Sequence, residues 1–163
     1  MDSTTQPKVK YKTFTYGTGL NWMRGKIGSL TSNGRPEVQV SSPPEFKGQP
    51  GYWTPEDLFV GTAEMCQMLT FLAIAQKHQL PIISYKSSAR GTLEFIDGQY
   101  RFTHIVIMPT VVVENSAKEV DVQVMLRDAH KRCLITNSIT AVVEVNPIVI
   151  SETLREAHSE TQS

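Results

Sequence analysis

The fold of this chain is decided by residues 54–76, which read TPEDLFVGTAEMCQMLTFLAIAQ. Thr54 is a favoured N-cap residue, and Pro55 suits the first helical position, where its missing N–H has no partner to lose. Glu56 and Asp57 then place negative charge at the positive end of the helix dipole. The stretch therefore predicts a long helix that begins just after Thr54 and continues to the end of the quoted residues.

This predicted helix is apolar on most of its sides. Its apolar members are Leu58, Phe59, Ala63, Met65, Leu69, Leu72, Ala73 and Ile74. A helix that is hydrophobic all round is usually buried, so we expect a buried central helix with Cys66 in its middle. Pro81 disfavours helix in the residue before it and ends the segment.

Two long strands are predicted after the helix, roughly over residues 82–95 and 100–113. Asp97-Gly98 separates them, and this dipeptide favours the positive φ angles of a tight hairpin turn. In the second strand, His104 lies in an otherwise apolar row with Phe102, Val106 and Met108. The pattern indicates an antiparallel pair beside the central helix.

A smaller antiparallel sheet is predicted before the helix. Its pieces are a strand over residues 9–16, a second piece around residues 27–30, a turn at Asn33-Gly34 and a short alternating strand at Val38 and Val40. Residues 42–53 are rich in Pro and Gly and predict a loop. Together with the long helix, these strands indicate an α+β fold.

A second helix is predicted to open with a capping box at residues 116–119. The residues at helical spacing on one stripe are Val122, Met125, Leu126, Ala129 and Cys133. This pattern puts Cys133 at the end of the helix on its core side. Residues 139–145 predict a last strand, which Asn146-Pro147 ends.

Length and composition fit one domain. We expect a single domain over residues 9–147, a flexible N-terminus over residues 1–8 and a polar C-terminal tail over residues 148–163. Sixteen Lys and Arg balance sixteen Asp and Glu, so no net charge draws the chain to nucleic acid or to an anionic membrane. The N-terminus lacks the apolar segment of a signal peptide, and we place the protein in the cytoplasm, where free thiols persist.

The two cysteines, Cys66 and Cys133, are the chain's main chemical candidates, because two thiols far apart in sequence suit a redox couple. The alternative is that both only pack, since burial disfavours the thiolate. No Lys or Arg lies between Asp57 and Gln76, so we expect that only a cation from elsewhere could activate Cys66. Arg24 and Lys26 are the candidates.

Other kinds of site are weakly supported. His130 and Cys133 share a helix, but two ligands do not make a zinc site. The chain has neither a Gly-x-Ser-x-Gly elbow nor a glycine-rich phosphate loop. We therefore predict no cofactor and no metal.

The contexts of both cysteines resemble a known family. Thr54-Pro-Glu-Asp-Leu-Phe59 followed by Cys66, and Ala129-His-Lys-Arg-Cys133-Leu-Ile-Thr-Asn137-Ser138, are similar to the signatures of the osmotically induced protein C and organic hydroperoxide resistance family (OsmC/Ohr). The loop Ser42-Pro-Pro-Glu-Phe-Lys-Gly48 also resembles the family's Pro-x-Glu loop. The resemblance covers about residues 9–146.

This resemblance implies an intertwined homodimer in which β-sheets wrap long central helices. It also implies a thiol peroxidase for oxidative-stress defence. In that mechanism Cys66 attacks an organic hydroperoxide and becomes a sulfenic acid, and Cys133 closes a disulfide. A dithiol reductant, such as a lipoylated protein, reopens it.

The resemblance further implies that Glu56 and an Arg complete the site, with Arg24 preferred over Lys26 because a guanidinium bridges thiolate and carboxylate in a fixed fork. Two alternatives stay open from the sequence. One is a non-catalytic family member that binds a small ligand between subunits, and the other is a structural dimer without intrinsic activity.

Overall fold

The computed structural model describes residues 11–152. The described chain forms two compact units, and the boundary between them in the sequence falls between Pro55 and Glu56. The single domain over residues 9–147 stays a prediction. Residues 1–8 and the last eleven residues of the predicted tail, 153–163, lie outside the described part of the chain.

The first unit contains a three-stranded antiparallel sheet in the order β1-β2-β3. The strands are β1 (Gly19–Arg24), β2 (Ile27–Thr31) and β3 (Val38–Ser41). Gly25 (φ 51°) turns the chain between β1 and β2, and Gly34 (φ 68°) lies in the next turn, where positive φ favours glycine. The predicted small sheet and its Asn33-Gly34 turn are confirmed.

The first strand lies later in the sequence than predicted. Residues 11–16 form no strand, and Tyr11, Phe14 and Tyr16 are mostly exposed; residues 9 and 10 lie outside the described part. Alternating aromatic residues favour extended chain, but a strand also needs a neighbour for its N–H and C=O groups. Residues 11–16 have no such neighbour here, so the strand prediction for them is wrong.

Apart from its first residue, the long helix α1 (Pro55–Lys77) belongs to the second unit, and it begins at the proline where the sequence predicts its start. It is followed by β4 (Ile82–Ile96) and β5 (Gln99–Glu114), which pair antiparallel along their whole length. Asp97 (φ 53°) and Gly98 (φ 82°) form the turn with the positive angles expected of a tight hairpin. The predicted helix and hairpin are confirmed.

The second helix, α2 (Glu119–Arg132), begins two residues later than the capping box predicts. Its N-cap residue is Lys118, which is extended and makes no side-chain capping bond. Ser116 lies instead in a turn, where the N–H of Ala117 donates to Glu114 O at 2.9 Å. The capping-box prediction is wrong because the hairpin strand β5 leads into this turn before the helix can start.

The last two strands extend the hairpin into a mixed sheet. β6 (Val142–Val145) pairs parallel with β5 at residues 104–107, and β7 (Ile148–Glu152) pairs parallel with β5 at residues 110–114. These pairs are parallel because α2 carries the chain back to the start of β5. The second sheet is therefore not purely antiparallel.

The C-terminal predictions need two corrections. β6 starts at Val142 rather than at residue 139, because residues 136–138 form a short 3-10 helix. β6 is also not the last strand. Pro147 lies in the connection between β6 and β7, where its missing N–H interrupts no ladder, so residues 148–152 form β7 instead of a polar tail.

The core of the second unit lies between the helices and one face of β5. Its fully or nearly fully buried apolar members are Ala63, Phe71, Ala75, Ile105, Ile107, Val111, Val113, Val122, Leu126 and Ala129. His104 lies on the other, exposed face of β5. Gly91 allows α1 and β4 to approach closely, since an added Cβ would lie 2.5 Å from Val60 Cγ2.

The buried surface of α1 is narrower than predicted. Only Ala63, Gln67, Phe71 and Ala75 are buried, and Met65 and Leu69 are more than half exposed. By length and apolar composition alone α1 could cross a membrane, the one such helix among residues 11–152, but a helix packed in a protein core passes the same test. Its contacts with β5 and α2 are those of a packed helix.

Candidate active site

The two thiols of the chain meet in the second unit. Cys66 lies half-buried in the middle of α1, and Cys133 is the fully buried C-cap residue of α2. Both thiols are free, and the side chain of Cys133 is hydrogen-bonded to that of Cys66. The fold thus brings together two cysteines that are 67 positions apart in the sequence.

The surroundings of Cys66 favour its thiolate. Burial raises the pKa of the Cys66 thiol, but hydrogen bonds from Cys133, from the backbone of Leu134 and Ile135, and from Thr70 outweigh burial. The net result is a pKa below the ordinary value of a cysteine. Hydrogen bonds to the charged form of a group favour that form, so Cys66 is the thiol of the pair that ionises more easily.

The surroundings of Cys133 have the opposite effect. Burial is the main reason that the pKa of Cys133 lies above its ordinary value, and its bond to Cys66 raises the pKa further. The hydroxyl and the backbone of Thr136 bond to the Cys133 sulfur and lower its pKa in part. Of the pair, Cys66 therefore has a lowered pKa and Cys133 a raised one.

The loop after α2 supplies most of these donors. The N–H groups of Leu134 and Ile135 bond to the Cys66 sulfur, and the N–H of Thr136 bonds to the Cys133 sulfur. The next two N–H groups have ordinary partners, because Asn137 N donates to Cys133 O at 3.1 Å and Ser138 N donates to Ile135 O at 2.9 Å. Three consecutive amides thus face the two sulfurs.

The sequence predicts that only a cation could activate Cys66, but no Lys or Arg is among the groups that lower its pKa in the described chain. The groups that lower its pKa are a thiol, a hydroxyl and two backbone amides. The contribution of Thr70 could have been predicted from the sequence, because Thr70 lies four residues after Cys66 on the same face of the helix. The amides carry no sequence signal, because every residue but proline has one.

Of the other predicted site residues, Arg24 and Lys26 belong to the first unit, and Glu56 belongs to the second. Arg24 is exposed at the end of β1 in the first unit, and Lys26 of the same unit donates a hydrogen bond to Phe46 O. Glu56 lies in the first turn of α1, about 15 Å along the helix from Cys66 at 1.5 Å per residue. Its Oε2 atom is buried and has no hydrogen-bond partner.

Within residues 11–152 there is no group of three or more His, Cys, Asp or Glu side chains that could hold an ion. His130 is near Cys133 in sequence, but its Nδ1 atom is buried without a partner. Chemically, the arrangement places the more easily ionised thiol, Cys66, in contact with a second thiol, Cys133.

Comparison with known proteins places this geometry in a family. The model of the OsmC-like protein family matches residues 48–147, which include both cysteines and Glu56. A curated relative, the uncharacterized protein YmaD of Bacillus subtilis, is 27% identical over 131 residues, which are 77% of this chain and 86% of YmaD.

Solved structures agree in fold. An OsmC-like protein of unknown function from Vibrio cholerae is 25% identical, with a TM-score of 0.77 over 83% of this chain and 100% of its own. An organic hydroperoxide resistance protein from Elizabethkingia anophelis is 18% identical, with a TM-score of 0.69 over 88% of this chain and 100% of its own. The family model spans more than half of the sequence, and this chain belongs to the OsmC-like protein family.

Proposed function

We propose that this protein is a thiol peroxidase that reduces organic hydroperoxides in oxidative-stress defence, with Cys66 as the attacking thiol and Cys133 as the resolving thiol. The observation that carries the proposal is the contact between two thiols whose pKa values are shifted in opposite directions. A packing pair of cysteines has no need of this asymmetry.

In the first step the Cys66 thiolate attacks the distal oxygen of the hydroperoxide. A sulfur–oxygen bond forms, the oxygen–oxygen bond breaks, and the alkoxide takes a proton and leaves as the alcohol. Cys66 is oxidised by two electrons to a sulfenic acid. The lowered pKa favours this step because the thiolate is the nucleophile.

In the second step the sulfur of Cys133 attacks the sulfur of the Cys66 sulfenic acid. A disulfide forms, and hydroxide leaves with the Cys133 proton as water. The existing contact between the two side chains supports this step, because the two sulfurs already face each other. An external dithiol, for which a lipoylated protein is our candidate, then reduces the disulfide by exchange and is itself oxidised.

The preference for an organic substrate is supported by apolar side chains beside the thiol. Leu134, whose amide contacts Cys66, has a side chain that is 76% exposed. Met65, one residue before Cys66, is also exposed. Such side chains favour an alkyl hydroperoxide over hydrogen peroxide.

Arg24 and Glu56 complete the proposed site. The buried, unpartnered Oε2 of Glu56 is a ready acceptor for a guanidinium, and leaving it unpaired costs free energy. We propose Arg24 as the partner of this carboxylate.

The proposed enzyme is a cytoplasmic homodimer. A helix as apolar as α1 with only one buried stripe leaves a large apolar flank, and a second copy of the chain would cover it. The cytoplasm suits the mechanism because its reducing poise returns the cysteines to thiols.

The proposal is tested by adding cumene hydroperoxide to the reduced protein and following both cysteines by mass spectrometry. We expect one equivalent of hydroperoxide to convert both free thiols into an intramolecular disulfide, with one equivalent of cumyl alcohol released. Retention of both thiols at stoichiometric oxidant would exclude the peroxidase.

Hydrogen peroxide at the same concentration is the matched control for substrate class. The organic substrate should react faster, because only it contacts the apolar side chains around Cys66. Equal rates would leave the peroxidase in place but overturn the organic preference.

A further inference from the structure

The segment after α2 holds its backbone in an unusual hydrogen-bonding pattern. The N–H groups of Leu134 and Ile135 point to the Cys66 sulfur, and neither donates to a backbone carbonyl. Their own carbonyls are occupied, because the Ser138 hydroxyl donates to Leu134 O at 2.7 Å and the Ser138 N–H donates to Ile135 O. The hydrogen bonds to the carbonyls of Leu134 and Ile135 thus help to fix the conformation of the segment that carries the two N–H groups.

Further side chains anchor the same segment to the end of α2. Asn137 Nδ2 donates to Lys131 O at 3.0 Å, and its backbone N–H donates to Cys133 O. The Thr136 hydroxyl contacts Cys133 O at 3.3 Å. Thr136 and Asn137 therefore bond to carbonyls at the C-terminal end of α2, which a helix terminus otherwise leaves unpaired.

We propose that the backbone N–H groups of Leu134 and Ile135 form a cradle for the anionic sulfur of Cys66, and that Asn137 and Ser138 are the positioning residues that hold it. Successive backbone N–H groups that converge on one point make an anion-binding concavity. The biological use of the cradle rests on the proposed function. Its effect on the reactivity of the Cys66 thiol can be measured without any peroxide.

One backbone position allows a direct test, because it tolerates proline. Cys133 has φ −66° and ψ 115°, which is the extended conformation that a residue before proline adopts. Leu134 begins the turn that follows, where proline is also favoured. Leu134→Pro therefore removes one N–H from the cradle, and Leu134→Ala is the matched control that shortens the same exposed side chain and keeps the N–H.

The experiment measures the rate of iodoacetamide alkylation of Cys66 across pH in the reduced full chain, with the Cys66 and Cys133 peptides resolved by mass spectrometry. Near neutral pH we expect Leu134→Pro to slow Cys66 alkylation on the order of tenfold, the worth of one charge-assisted hydrogen bond. The midpoint of its pH profile should move to higher pH. Leu134→Ala keeps the N–H and should leave that midpoint where it is in the parent chain.

Equal pH profiles for Leu134→Pro and Leu134→Ala in folded protein would overturn the cradle. Circular dichroism checks the fold of each variant. If the proline variant does not fold, Asn137→Ala decides, with Asn146→Ala as its control because Asn146 is an exposed asparagine between β6 and β7. Slower alkylation in Asn137→Ala alone supports the cradle, and equal rates in both asparagine variants overturn it.

The two proposals fail in different ways. A chain that shows the proline effect on alkylation but does not consume cumene hydroperoxide keeps the cradle and loses the peroxidase. A chain that consumes the hydroperoxide with no difference between the Leu134 variants keeps the peroxidase and loses the cradle.

Discussion

The two helices of the second unit each position one cysteine, yet they bury their apolar residues to very different extents. α2 is amphipathic: Val122, Leu126 and Ala129 are fully buried, while Val120 and Val124 on its other sides are exposed. α1 is apolar on most sides, but only one stripe of it is buried, and Met65 and Leu69 are more than half exposed. The single chain buries the apolar stripe of α2 but leaves part of the apolar surface of α1 exposed.

The two cysteines also differ from each other, in the direction in which their pKa values are shifted. Cys66, in the middle of α1, receives hydrogen bonds from several donors and has a lowered pKa, whereas Cys133, at the end of α2, is buried and has a raised pKa. Position along a helix does not explain this, since the dipole favours negative charge only near a helix N-terminus. Hydrogen bonds, most of them from Cys133 and the loop after α2, explain the lowered pKa of Cys66, and burial is the main cause of the raised pKa of Cys133.

The largest expected effect separates the two thiols. Cys66→Ser should abolish turnover of cumene hydroperoxide, because a serine hydroxyl is not ionised at this site and does not replace the nucleophile. Cys133→Ser should still consume one equivalent per chain and stop at the Cys66 sulfenic acid, which a dimedone probe traps. Turnover by the Cys66→Ser variant at the parent rate would show that the asymmetry of the pair has no catalytic meaning.

The next effect tests the exposed flank of α1. Leu69→Glu places a charge on the surface that we assign to a second copy of the chain, and burying an unpaired charge is strongly unfavourable. We expect the mass measured by light scattering to fall from that of two chains to that of one. Val124→Glu, at an exposed apolar position on α2, is the control and should leave the mass unchanged.

A smaller effect tests the buried stripe of α2. Leu126→Ala removes a fully buried side chain from the core and should lower the free energy of unfolding by about 2–5 kcal/mol. Val124→Ala, on the exposed side, should change it by less than about 0.5 kcal/mol. Urea denaturation measures both, and similar losses in the two variants would contradict the stated orientation of α2.

The smallest effect is the pH dependence of the thiols. Because the pKa of Cys66 is lowered and that of Cys133 is raised, the Cys66 thiolate should appear first as pH rises from acid. Ultraviolet thiolate absorbance should therefore have its midpoint at lower pH in Cys133→Ser, which keeps Cys66, than in Cys66→Ser. The reverse order would contradict the donor arrangement around the pair.

Local sequence signals predicted most of the second unit. The start of α1 at Pro55 and the hairpin turn at Asp97-Gly98 depend on the conformational limits of single residues, so they appear where the sequence places them. Three features depend on which segments lie beside each other: the first strand at residues 11–16, the capping box at 116–119, and strand β7, which the sequence analysis did not predict. Pairing partners are not encoded locally, and those predictions were wrong.

The features of the candidate site also divide into those that local sequence predicts and those that depend on the tertiary structure. The sequence by itself determined the two cysteines, their helices and the family to which their contexts point, because residue type and helical period are properties of the chain. Only the tertiary structure decided that Cys66 and Cys133 touch and that the amides of residues 134 and 135 lower the pKa of one of them. A backbone N–H is present at nearly every residue, so only the folded path of the chain determines which two of them meet a sulfur.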